Sequence, residues 1–235
     1  MKADWIRRHV PLVFAILWVV LAALFALVYP TTSSDTLSRY APMAEAFARG
    51  EWVQAYHPRF GVLFPTLSGV FAWLLPIDGV QATQIAGTLF WVAAAYLAWL
   101  LASRLFDERT GLFAAILVFI SPELSNYAMD GLREGGKAFA LLACATVFAG
   151  VRGAAWWGAL GTFVLVTLRV DSIILGTLMP FAFLICVLVR RRPLQAVPAF
   201  VACVLGLFLM CWMTHAYEGV WAPCVQMIRV ARRWL

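Results

Sequence analysis

Charge is what this sequence lacks most. Only 13% of its 235 residues are Asp, Glu, Lys or Arg, against 63% hydrophobic residues, and the mean hydropathy is +0.85. A soluble domain carries about a quarter charged residues, so this chain has too little polar surface to cover a water-soluble globule. Histidine is also scarce, at three residues. The five cysteines (Cys144, Cys186, Cys203, Cys211 and Cys224) are scattered, most of them within apolar runs. No CxxC or Cys/His spacing occurs, so the sequence supports neither a zinc site nor a disulfide framework, and no metal or other cofactor is expected. Internal repeats and low-complexity tracts are missing too. So is a small-x-small cleavage site after the first apolar run, Val10 to Tyr29. That run therefore reads as an uncleaved first span behind the basic Lys2, Arg7 and Arg8, not as a signal peptide.

What the sequence does have is apolar runs near the roughly 20 residues that a helix needs to cross a bilayer. Seven segments qualify as span candidates: about 10–29, 82–103, 111–125, 135–151, 154–169, 172–189 and 195–214. The fold class expected is all-α, a polytopic transmembrane helix bundle of about seven spans forming one unit over 1–235. The stretch 30–60 holds Asp35, Arg39, Glu45, Arg49, Glu51, His57 and Arg59 and must lie outside the hydrocarbon. Within it, Leu37, Tyr40, Ala41, Ala44, Phe47 and Ala48 recur at helical spacing, and Gly50 is placed as a C-terminal stop. A short helix on the membrane surface fits this pattern, starting late or kinked because of Pro42. The run 61–76 is ambiguous by length, about 24 Å as a helix, and is interrupted by Pro65; charge placement favours a re-entrant or interfacial helix there.

The net charge of +6 belongs with arginines flanking hydrophobic spans, which the positive-inside rule explains without nucleic acid. If 61–76 does not cross and the N-terminus is cytoplasmic, Arg104, Arg109, Arg152 and Arg190 to Arg192 all fall on the cytoplasmic side. The tail 223–235 then lies outside as an interfacial amphipathic helix. The opposite, extracytoplasmic face collects the loop 30–60, the segment 121–137 and the turn 168–172. Its ionisable residues include Asp35, His57, Arg59, Asp130, Arg133, Glu134, Arg169 and Asp171. Such residues at membrane depth are costly and mark functional sites. Carboxylates among arginines suit removal of a proton from a hydroxyl while a phosphate leaving group is neutralised. Each residue also has a structural reading: Asp35 as a helix N-cap, Arg133 with Glu134 as a pair at a helix start, and Arg169 with Asp171 as a mutual ion pair. Tyr40 suits core packing as well as ligand contact.

Five stretches occur in a suggestive order: DTLSRYAPMAEAFARG (Asp35 to Gly50), HPRFGVLFP (His57 to Pro65), LASRLFDERTGLFAAILVFISP, MDGLREGGK and LRVD. Over about residues 5–215 this order resembles the C-type (GT-C) polytopic glycosyltransferases. That superfamily includes the protein O-mannosyltransferases and the lipid A aminoarabinose transferases. The resemblance implies an inverting sugar transfer from a polyprenyl-phosphate donor to a lipid, glycan or protein acceptor hydroxyl at the extracytoplasmic face of a bacterial inner membrane. It implies Asp35 as general base and Asp130 as a second catalytic carboxylate. Tyr40, His57, Arg59, Arg133, Glu134, Arg169 and Asp171 are the expected substrate contacts. The sequence departs from the family pattern at Arg59, where a second Pro is usual, and at Thr36, where many relatives have Glu. Family members continue well beyond this module, so a second expectation stands beside the first: a non-catalytic or truncated subunit that binds lipid phosphate and works with a larger partner.

Overall fold

The structure, a computed structural model, describes residues 2–31, 33–57, 60–151, 153–168, 170–189 and 196–218. Among these, every regular element is helical. The order is α1 (Lys2–Val28), a π-helical turn (Thr36–Tyr40), α2 (Ala41–Ala48), α3 (Leu63–Leu74), α4 (Gly79–Leu105), α5 (Glu108–Phe119) and α6 (Pro122–Met129). There follow α7 (Glu134–Ala149), α8 (Ala154–Leu168), a 3-10 turn (Val170–Ser172), α9 (Ile173–Val189) and α10 (Val197–Glu218). Arg59, Arg152, Arg169, the Arg190 to Arg192 cluster and the tail 223–235 lie outside the described residues.

Helix α4 is the centre of the bundle, with α1, α2, α3, α5, α6 and α7 packed against it. Its sequence explains why: Ala82, Ala86, Gly87, Ala94, Ala95 and Ala98 are buried, and such small residues let neighbouring helix backbones approach closely. α7 packs on α8, and α8 on α9 and α10. Gly161 allows the first of these contacts, since a Cβ there would meet the Ala140 carbonyl oxygen at 2.6 Å. Phe64, Phe90 and Phe139 link the two halves of the core.

Three helices are long and apolar enough to cross a membrane: His9–Val28 within α1, α4, and Val197–Ala216 within α10. α5 and α6 together make a fourth if the 56° bend between them falls within one span. The sequence marks that bend: Pro122 opens α6 and cannot donate to the turn before it. α8 and α9, at 15 and 17 residues, reach only about 22 and 26 Å at 1.5 Å per residue. Seven long spans are therefore not what the helix lengths show. Large apolar side chains cover the outside of the bundle, among them Val19 on α1, Ile185 on α9 and Phe208 on α10.

Two prolines behave differently from their simplest reading. Pro65 falls in the first turn of α3, where its missing N–H costs nothing, so it does not interrupt the helix. Pro42 sits at the start of α2 behind the π-helical turn, in which the Ala41 N–H reaches the Thr36 carbonyl. Widening the preceding turn relieves the clash between the ring and the carbonyl four residues back. Gly50 ends α2 as expected: it adopts φ +77°, and the Glu51 N–H returns to the Ala46 carbonyl at 2.9 Å, the pairing of a Schellman stop. At the far end of α4, Asp107 caps α5. It accepts the Thr110 N–H at 2.7 Å, and that bond holds its carboxyl below the usual range.

Candidate functional site

All the polar segments singled out by the sequence meet at one end of the bundle, where α1 and α8 finish and α4 and α7 begin. α3 belongs to this end at both of its termini. The Val62 N–H donates to the Thr167 carbonyl at the end of α8 (2.8 Å), and Gly79, after α3, lies so close to Ala41 that a Cβ would meet its carbonyl oxygen at 2.3 Å. The chain thus enters and leaves α3 on the same side.

A polar knot ties the connections together. Gln84, buried on α4, donates its amide to the Tyr29 carbonyl at 2.9 Å and the Met129 carbonyl at 2.8 Å, joining the ends of α1 and α6. The Thr31 hydroxyl donates to the Asp130 carboxylate at 3.2 Å, and that of Thr36 to the Asp130 main-chain oxygen. Asp130 is therefore brought beside the turn that carries Asp35. Replacing Gln84 with Leu leaves two carbonyls without their donor. It should cost about 1–3 kcal/mol, read as a lower Tm of the detergent-solubilised protein.

Asp35 lies inside the helical turn and makes no N-cap hydrogen bond. It forms an ion pair instead: the Arg39 guanidinium, one turn on, lies 2.7 Å from its carboxylate, with both side chains nearly half exposed. Arg39 also lies over the Phe60 ring (5.1 Å to the centroid), and buried Arg133 lies over the same ring (5.5 Å) and over Tyr40 (5.4 Å). The two guanidiniums thus share one aromatic ring. Arg133 donates to the Phe60 carbonyl at 2.5 Å and lies 3.9 Å from Glu134. His57 closes the turn, its carbonyl accepting the Phe60 N–H and its ring 5.0 Å from that of Phe60. Gly61 follows at φ +78°, where a Cβ would meet the Leu168 carbonyl oxygen at 2.2 Å, so only glycine lets this turn seat on α8.

Two clefts open here. The first, about 470 Å³, is lined by Arg39, Arg49, His57, Tyr56 and Phe60 among others, and no carboxylate among the described residues lines it. The second, about 200 Å³ and nearly all apolar, runs between Phe47, Trp52, Tyr56 and Val62 on one side and Leu209, Trp212 and Met213 of α10 on the other. Tyr56 is the wall common to both, anchored where its hydroxyl meets that of Thr214 at 3.3 Å. Arg49 is held at the cleft edge by Glu51, with two contacts of 3.2 Å, and by Glu45 at 3.9 Å. Glu51 raises the Arg49 pKa further, so its charge is permanent.

The expected residues therefore fall into groups. Asp35 and His57 stand at the cationic cleft, Asp35 through Arg39. Asp130 lies behind Asp35 in the polar knot. Tyr40 and Arg133 are buried beneath Phe60, supporting the cleft floor. Asp171 is paired with Lys137 at 3.3 Å and does not line the cleft. Arg39, Phe60 and Tyr56 were not among the expected contacts. For Arg39 the signal was present in its i, i+4 spacing from Asp35; nothing local marks Phe60 or Tyr56. Among the described residues, no three His, Cys, Asp or Glu side chains converge as a metal site requires. No protein-family model, curated protein or solved structure matches this chain.

Proposed function

We propose that this chain is an integral membrane glycosyltransferase that moves a sugar from a polyprenyl-phosphate donor to an acceptor hydroxyl. The observation that carries the reading is the pair of clefts meeting at Tyr56, one lined by Arg39, Arg49 and His57 and one apolar. Together they match an amphiphile with an anionic head and a hydrocarbon tail. The donor phosphate takes the side of Arg39, Arg49 and His57, and the first isoprene units take the side of Trp52 and Trp212. The acceptor oxygen attacks the anomeric carbon as the carbon–oxygen bond to phosphate breaks. The hydroxyl proton passes to the Asp35 carboxylate, and the phosphate leaves with the electron pair, neutralised by the guanidiniums. One displacement inverts the anomeric centre.

In this reading α1, α4, the bent pair α5–α6, α7, α8, α9 and α10 are the seven crossings, the shorter ones accommodated by local thinning of the bilayer. α3 stays on the outer side. The N-terminus is cytoplasmic and the site faces outward from a bacterial plasma membrane, which keeps Arg104 and Arg109 inside.

Arg39→Ala tests the phosphate assignment. Removing a charge-assisted contact worth about 1.5–3 kcal/mol should raise the KM for a polyprenyl-phosphate sugar about ten- to a hundredfold, measured as donor consumption in membranes containing the full chain. An unchanged KM would move the phosphate out of this cleft.

A further inference from the structure

At the end of the bundle opposite the candidate site lies a larger cavity of about 580 Å³. Among the described residues it is lined by Tyr96, Trp99, Leu100, Ser103 and Arg104 on the last turns of α4 and by Gly150 and Val151 after α7. Gly150, at φ 64°, caps α7 in the left-handed conformation. The aromatic side is rigid: the Tyr96 ring lies 5.8 Å from Trp99 and 6.3 Å from Trp157. Arg104 is exposed at the mouth.

Arg104 differs from the arginines of the other end. Arg39, Arg49 and Arg133 each lie against a carboxylate. Arg104 forms no ion pair among the described residues. A place in the last turn of α4 suits its charge to the helix dipole, but that does not fill the cavity beside it. The depth is informative too. Tyr96 lies nine residues before Leu105, about 14 Å along the helix axis, so the cavity extends from the helix end well down an apolar face. α4 itself is about 40 Å long against about 30 Å of hydrocarbon, which puts Arg104 at headgroup level and Tyr96 among the chains.

We propose that this cavity binds one anionic phospholipid of the surrounding bilayer, its phosphate against Arg104 and its chains along Trp99, Leu100 and Tyr96. A free phosphate would meet the same guanidinium but would leave the apolar depth of the cavity empty. The volume lies within the range of specific small-molecule sites, and the orientation given above puts this end toward the leaflet richer in anionic lipid. The proposal rests on α4 crossing the membrane in the orientation given above, and not on the transfer chemistry.

The test uses the full chain, stripped of lipid in detergent, with phosphatidylglycerol and phosphatidylcholine as probes and native mass spectrometry to follow the most tightly retained lipid. Wild type should hold phosphatidylglycerol about five-fold more strongly. Arg104→Ala should bring it down to the phosphatidylcholine level, Arg104→Lys should keep the preference, and Trp99→Ala should weaken both lipids. Asp35→Asn should change none of this, which separates the outcome from that of the transfer reading. Equal retention of the two lipids by wild type would overturn the proposal, as would a preference that survives in Arg104→Ala. Displacement of phosphatidylglycerol by inorganic phosphate would assign the site to a free anion and overturn it as well.

Discussion

Asp35→Asn is expected to abolish sugar transfer while leaving the protein folded and inserted. The amide matches the carboxylate in size and can still pack beside Arg39, but it cannot take the acceptor proton. General-base catalysis contributes about 10²–10⁴-fold, so transfer should fall by at least that factor in membranes supplied with an undecaprenyl-phosphate sugar. The fold has little to lose. The Asp35–Arg39 pair is i, i+4 and nearly half exposed, and such pairs contribute about 0.3–0.5 kcal/mol. Wild-type turnover in this variant would remove Asp35 from the mechanism.

Arg133→Leu is expected to have the opposite profile, a large loss of stability with binding damaged through shape. Arg133 is buried, donates to the Phe60 carbonyl and lies over the rings of Tyr40 and Phe60. Losing the charged hydrogen bond and the ring contacts should cost about 2–4 kcal/mol, seen as a lower Tm in detergent. The turn from His57 to Gly61 then loses its clamp, so the KM for the donor should rise even though Arg133 does not line the cleft. Arg133→Lys should recover only part of the stability, because an ammonium lacks the planar fork that reaches a carbonyl and two rings together. An unchanged Tm in Arg133→Leu would show that the clamp contributes nothing.

The helical bundle was legible because its signals are local. Apolar runs marked α1, α4 and α10, and Gly50 marked the end of α2; charge asymmetry argued that 61–76 does not cross, and the structure forms a 12-residue helix there whose two ends pack at the same end of the bundle. Proline was the misleading residue. Pro65 read as an interruption and lies in a first turn, whereas Pro122 lay within a span candidate and divides α5 from α6. A proline's effect depends on its position within the turn, which the apolar pattern does not specify. Pro42 was read correctly as a late start or kink, and the π-helical turn is the form it takes.

At the candidate site, co-location was legible in the sequence and pairings were not. Asp35, His57, Asp130 and Arg133 could be placed at one end from sequence, but not the sharing of Phe60 by Arg39 and Arg133, nor the pairing of Asp171 with Lys137. These contacts span loops distant in the chain, and no periodicity encodes them. Burial was also hidden: Arg133 reads as a surface charge in MDGLREGGK and is covered by two aromatic rings. Arg59 and Arg169 lie outside the described residues.

The most direct test of the central claim is whether the two clefts together recognise a lipid phosphate. Undecaprenyl phosphate and undecaprenol differ only in the charged head, so their relative affinities for the purified full chain isolate the cationic cleft. The account predicts clear preference for the phosphate in wild type. In Arg39→Ala that preference should be largely lost, while Trp52→Ala should weaken both ligands. Equal binding of the phosphate and the alcohol by wild type would contradict it.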